Sequence, residues 1–313
     1  MNRHQLIDEV RTVLAKSGFF LSDKHDTRMI CFDIVARRDD LLLIMKVLTN
    51  VDSFNSEYAM QLKMISNMLD ASSLLIGERM GSGKLEDGVV YSRFGVPLIS
   101  CPTLTDLFLE GVPPFVFSAP GGLYVRMNGE LIRRTRERKR ISLGTLAEVA
   151  GVSRRTIQMY EDGMGATVNV ALRLEEFLGE TLVMAIDPLS YKEGLVEHPS
   201  SLDMFEGFER EVLDHLGKLG YSVIPAARSP FDVFTRDRQI VLLTGLGRLT
   251  KPLERRATVV ANISRVVERD SVIFVDRRTV GYNLAGAPLI GKKELRKVRD
   301  REEILELISE RKK

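Results

Sequence analysis

The residues with the clearest chemical bearing lie between Ser142 and Gly163, in the run SLGTLAEVAGVSRRTIQMYEDG. Leu143, Leu146, Ala147 and Val149 fall at helical spacing, Gly151 suits a tight turn, and Ser153 offers a hydroxyl cap to a second helix. In that second helix Ile157 and Tyr160 turn inward, which leaves Arg154, Arg155, Gln158 and Met159 on the outer face near its N-terminal end. Guanidinium and carboxamide groups so placed pair with base edges in the major groove of duplex DNA. With Arg136 upstream and Ser142 and Ser153 at the two helix starts, they form the candidate DNA-binding set.

Other chemistry is poorly provided for. Gly77 to Lys84, GERMGSGK, approaches a phosphate loop, but its first glycine is one residue out of place and Leu85 stands where a magnesium-binding hydroxyl is required. A surface loop is the better reading. Cys31 and Cys101 lack zinc or redox spacing and sit among apolar residues, as buried free thiols do. The histidines at 4, 25, 198 and 215 are scattered without ligand spacing, so no metal and no cofactor is assigned.

The elements that must position the candidate set are two short helices about a glycine turn, the outline of a helix-turn-helix. A further helix is predicted upstream from Glu130 to Arg140, and another downstream from Val168 to Leu178, with Val170, Leu172, Leu174, Phe177 and Leu178 available for its core face. From residue 133 to 140 this helix crowds Arg133, Arg134, Arg136, Arg138, Lys139 and Arg140 against Glu137 alone, although the whole chain carries a net charge of only +2. Such a local positive field suits DNA phosphates, whose neutralisation releases counterions and supplies sequence-independent affinity. The pattern LxxLAxxxGVSxxTIxxYExG resembles the Cro/cI-type phage repressor family. It departs from it at Gly165-Ala166-Thr167, where that family often has a proline.

A chain of 313 residues with 44% hydrophobic content has material for two or three cores. No signal peptide and no apolar run near membrane-spanning length is found, so the chain reads as cytoplasmic.

An internal repeat organises what flanks the helices. EVRTVLAKSGF from Glu9, FDIVARRDDLLLIMKV from Phe32 and YSRFGVPLIS from Tyr91 return, in order, as EVLDHLGKLGY from Glu211, FDVFTRDRQIVLLTGL from Phe231 and YNLAGAPLIG from Tyr282. Each copy predicts a helix, two strands about a polar turn, a second helix, and short strands ending in Pro-Leu-Ile, which makes an α/β layer unit. This order resembles the restriction-endonuclease-like fold, the PD-(D/E)XK superfamily, which places an aspartate on one strand and Glu-x-Lys on the next to bind magnesium and activate water. Carried over, that resemblance puts Asp33 at the aspartate and Lys46 at the lysine, with Ile44 where the glutamate belongs; the second copy has Asp232, Leu243 and Gly245. Glu57 is a possible migrated carboxylate, and a plain strand-end aspartate in a turn explains Asp33 equally well. The copies therefore read as degenerate, and no catalytic residue is assigned.

The expected architecture is a duplicated, degenerate restriction-endonuclease-like α/β pair around a central all-α Cro/cI-type helix-turn-helix domain. Its boundaries are 1–112 for the first α/β domain, 113–129 for a linker and hairpin, 130–188 for the DNA reader, 189–201 for a linker, and 202–313 for the second copy. The runs ISLGTLAEVAGVSRRTI, VVYSRFGVPLI and APGGLYV within this arrangement resemble a family of archaeal helix-turn-helix transcriptional regulators. That resemblance implies a regulator binding double-stranded DNA, as a homodimer because one recognition helix reads few base pairs. The flanks would serve assembly or sensing, with no membrane partner and no effector specified. The alternative is a DNA-processing endonuclease of the PD-(D/E)XK type, targeted by the reader.

Overall fold

The computed structural model describes the chain except for residues 1, 25–29, 191–200, 239, 278–280 and 313. The N-terminal segment forms α1 (Arg3–Lys16), β1 (Phe20–Leu21), β2 (Ile34–Arg38), β3 (Leu41–Asn50), α2 (Ser56–Met68), β4 (Ser72–Met80), β5 (Gly83–Lys84), β6 (Val89–Arg93), β7 (Val96–Ile99) and α3 (Cys101–Thr105). The middle holds β8 (Val116–Ala119), β9 (Gly122–Met127), α4 (Gly129–Arg138), α5 (Leu143–Ala150), α6 (Arg154–Glu161), β10 (Ala166–Thr167), α7 (Val168–Leu178) and β11 (Val183–Met184). The C-terminal segment adds α8 (Gly207–Lys218), β12 (Ser222–Pro225), β13 (Val233–Asp237), β14 (Ile240–Gly247), α9 (Lys251–Val267), β15 (Ser271–Val275), β16 (Asn283–Leu284), β17 (Ala287–Gly291), α10 (Lys292–Leu295) and α11 (Arg301–Arg311). Two compact units emerge from the contacts: Met1–Val13 with Leu48–Ser53 and Leu74–Tyr191, and Leu14–Val47 with Phe54–Ser73 and Lys192–Lys313.

In the first unit, β4 pairs with β7 in parallel, β7 with β6 antiparallel, β6 with β8 in parallel, and β8 with β9 antiparallel. β9 also pairs with β10 and β11, the two short strands that bracket α7. Val125 and Met127 of β9 thereby enter the core of the helices, against Ile132, Leu146, Ala147, Ile157, Tyr160, Leu174 and Leu178. The departure at Gly165-Ala166-Thr167 thus has a structural use: Ala166 and Thr167 add to a sheet. The phosphate-loop lookalike is no anion cradle, since Gly77 lies in β4 packed so tightly that a Cβ there would meet Val51 Cγ2 at 2.5 Å. Its remaining residues close the β4–β5 hairpin.

The helix ends follow local rules. α5 and α6 begin at serine caps, and α5 and α7 end at Gly151 (φ 70°) and Gly179 (φ 64°), in the left-handed region that a β-carbon disfavours. The upstream helix, expected over Glu130 to Arg140, runs Gly129–Arg138, capped by the Asn128 side chain. One expectation fails on α7. Leu172 and Phe177 are exposed, by 57% and 41%, because the buried stripe is Ala171, Leu174 and Leu178. That 3–4 spacing leaves the other two on the outer side.

The second unit contains β1, β2 and the start of β3, antiparallel in that order, and a six-stranded sheet ordered β12, β13, β14, β15, β17, β16. Its buried strands β14, β15 and β17 are parallel and rich in Val, Ile and Leu, as strands covered on both faces are. α9 packs against β2. Asn262 of α9 accepts the Asp23 N–H through Oδ1 and donates from Nδ2 to the Asp23 carboxylate, both at 2.7 Å. The Arg37 guanidinium donates to the Val267 carbonyl at 3.3 Å and pairs with Glu268 at 2.7 Å. Segments on either side of the helical region therefore share this core.

Candidate nucleic-acid interface

Capping fixes where each reader helix starts. Ser142 Oγ accepts the Thr145 N–H at 3.0 Å, and Ser153 Oγ accepts the Thr156 N–H at 3.1 Å. Both hydroxyls are thus engaged as caps, each worth about 1 kcal/mol to its helix. On α6, Ile157 is fully buried and Tyr160 is 5% exposed, its hydroxyl pushed above the usual phenol range by that burial. Arg154, Arg155, Gln158 and Met159 are exposed on the opposite side, as the spacing predicts. Neither arginine has an acidic partner among the described residues, so both guanidinium forks keep their donors for a ligand.

The basic upstream helix is different. Glu161, at the inner face of α6 and almost fully buried, accepts from Arg136 Nε at 2.5 Å and Nη2 at 3.1 Å, and from Arg133 Nε at 3.3 Å. Arg133 also pairs with Asp162 at 2.7 Å. These bonds to Glu161 hold both arginine pKa values above their ordinary range. Arg138 pairs with Glu180 at 2.6 Å, and Lys139 Nζ donates to the Leu178 carbonyl at 2.6 Å, closing the end of α7. The placement of Arg136 in the DNA-binding set is corrected accordingly: its side chain is 13% exposed and locks α4 to α6. Arg134, and Arg140 just beyond the helix end, have no ion pair or side-chain hydrogen bond among the described residues, and both are exposed.

Glu161 was missed from the sequence, although a signal was there. It follows Ile157 by one helical turn on the apolar side, and a carboxylate there requires a cation. Gly144 was also passed over. A Cβ on it would come within 3.0 Å of Arg154 Nε and Nη2.

The carboxylates considered for a metal site, Asp33, Glu57 and Asp232, each pair with a cation of the protein itself. Asp33, 5% exposed, accepts from Lys46 Nζ at 3.3 Å through Oδ1 and from the Val47 N–H at 2.8 Å through Oδ2. Lys46 also donates to the Ile30 carbonyl at 2.6 Å. Glu57 is held by Arg228 at 2.8 and 3.3 Å, which lowers its pKa. In the C-terminal segment Asp232 accepts the Leu246 N–H at 2.7 Å and pairs with Arg256 of α9; burial nonetheless raises its pKa. Among the described residues no group of three or more His, Cys, Asp or Glu could hold a metal ion. Cys31 and Cys101 are buried, with pKa values pushed up to about 12, chiefly by burial. His25 and His198 lie outside the described residues.

Comparison with known proteins covers the same regions. A helix-turn-helix family model matches residues 132–183, and a PD-(D/E)XK superfamily domain model matches residues 3–114. Across 100% of its length the chain is 38% identical to a candidate HTH-type transcriptional regulatory protein of Methanosarcina mazei, covering 98% of that protein. A protein of the same name from Methanosarcina acetivorans matches equally, at 38% identity over 100% of this chain and 98% of its own length. One from Archaeoglobus fulgidus is 37% identical over 98% of this chain and 97% of its own length. No solved structure gives a significant match.

Proposed function

Because the chain belongs to the family of HTH-type transcriptional regulatory proteins represented by these relatives, we propose that it is a sequence-specific regulator that binds double-stranded DNA through α6. The observation that carries this is the split character of α6: its inner face is locked by Ile157, Tyr160 and Glu161, while Arg154, Arg155, Gln158 and Met159 stand open at its N-terminal half. Base contacts come from that open face, and phosphate contacts from Arg134 and Arg140. Two chains act together on paired half-sites, since one such helix spans only a few base pairs. The protein works in the cytoplasm, and no described helix is long and apolar enough to cross a membrane.

We read the functional division as 1–112, 113–129, 130–188, 189–201 and 202–313, with the last segment a second copy of the first. Support comes from hydrogen bonds that recur at a constant offset of 199 residues. The Asp33 N–H donates to the Met45 carbonyl and the Asp232 N–H to the Thr244 carbonyl; the Val47 and Leu246 N–H groups donate to the two carboxylates. At that offset Gly245 replaces Lys46, and Arg256 stands at the place of Glu57. The second aspartate takes its cation from the helix where the first takes it from the strand. Both flanks are scaffolds for assembly or sensing.

Selection of bound duplexes from a random pool tests the main reading. A defined site should emerge, and replacing Arg154 and Arg155 with alanine should abolish the preference, at about 1–3 kcal/mol for each base-directed pair. Selectivity that survives the double substitution removes α6 as the reader. The PD-(D/E)XK match favours one second reading, a nuclease. Magnesium-dependent DNA cleavage by the purified protein, abolished by Asp33→Ala, would establish it; we expect none, because both Asp33 oxygens are engaged by the protein.

A further inference from the structure

We propose that Gly144 is a specificity-determining position that acts through Arg154. The inference rests on α6 being the base-contacting helix. Gly144 lies in the first turn of α5 in ordinary helical backbone, not in the left-handed region, so no turn or strain requires glycine there. Glycine is also the poorest helix former after proline, and a helix that keeps one keeps it for packing or for function. Its surroundings give the reason. A β-carbon at 144 would lie 3.0 Å from Nε, 3.0 Å from Nη2 and 3.3 Å from Cζ of Arg154. The guanidinium of the first recognition-helix residue therefore rests in the space that the missing side chain leaves.

The contact orients without adding much stability. Arg154 is exposed, its far end is flexible, and a methyl group at 144 can push it aside without disturbing a core. A bidentate arginine–guanine pair, by contrast, depends on the plane and position of the fork. Seating the guanidinium across the first turn of α5 fixes both before DNA arrives, which reduces the ordering cost of binding. Gly144 is a positioning residue in this scheme, and Arg154 is the group that touches the base.

The test is a double-mutant cycle on the full-length protein, reading relative affinity for its selected duplex against a scrambled duplex, together with thermal melting. Gly144→Leu should lower the preference by the roughly 5- to 150-fold that one lost bidentate pair costs, and Gly144→Ala should lower it less, in the same direction. Neither change should lower the melting temperature. Arg154→Ala should reproduce the loss, and adding Gly144→Leu to it should change nothing further. Unaltered preference in Gly144→Leu overturns the proposal, as does a loss of the same size in the Arg154→Ala background, which would mean that residue 144 meets DNA directly. An unsubstituted protein without any site preference would instead overturn the reading of α6 itself.

Discussion

Replacing Arg136 with alanine should damage the fold of the reader and leave its salt dependence alone. The side chain is 13% exposed, its partner Glu161 is 4% exposed, and two of the three guanidinium hydrogen bonds to that carboxylate come from Arg136. Removing one member of a buried pair strands the other charge, at a cost of about 3–5 kcal/mol. Arg133 remains beside Glu161, so the lower end applies, about 3 kcal/mol. That equals an increase of about 150-fold in the population of locally opened reader. Hydrogen–deuterium exchange of peptides spanning residues 130–161 reads this opening directly, because exchange there follows the local stability. Glu161→Gln should act in the same direction. The result that refutes the reasoning is unchanged exchange in Arg136→Ala together with a slope of log affinity against log salt shallower by about one, the signature of a lost phosphate contact.

Arg134→Ala and Arg140→Ala should show that opposite pattern: weaker binding to every duplex, a shallower salt slope, and unaltered exchange. Cys31 and Cys101, with pKa values pushed up to about 12, should resist iodoacetamide in the native protein at mildly alkaline pH and react once it is denatured, as peptide mass mapping would show. Glu294 accepts from the nearly buried Arg311 at 2.7 Å, and this bond lowers its pKa below the ordinary 4.5. Between the two values the unfolded chain binds more protons, so this stabilisation is complete above about pH 4.5 and fades as pH falls through the lower value. Glu294→Gln should flatten the acid limb of a melting-temperature profile, and an unchanged limb would locate the acid sensitivity elsewhere.

What could be read in advance was what neighbours in sequence decide. The caps at Ser142 and Ser153, the turn at Gly151 and the exposed face of α6 each depend on residues within one or two helical turns, and all stand where their spacing put them. The fate of the basic helix depends on distant partners. Arg136 meets an acid 25 residues on, Arg138 one 42 residues on, and a list of positive charges does not distinguish a paired arginine from an open one. Leu172 and Phe177 were misplaced because hydrophobic residues occupy too many positions of α7 to define one face; Ala171, too small to stand out, marks the true stripe. Asp232 pairs with Arg256 of α9, a cation from a helix 24 residues on, which a motif confined to strand positions does not register.

The addition of β10 and β11 to β9 has a mechanical consequence. The reader hangs on no tether: the strand that feeds α4 is hydrogen-bonded along its length, and the short strands on either side of α7 clamp it. Four residues after α6 the chain enters β10 and pairs with β9, so the path from α6 to α7 is tied to the same ladder that leads into α4. A fragment cut at residue 128 would leave β10 and β11 with bare edges and Val125 and Met127 missing from its core. Such a fragment should be sticky and poorly cooperative, however complete its helices look on paper.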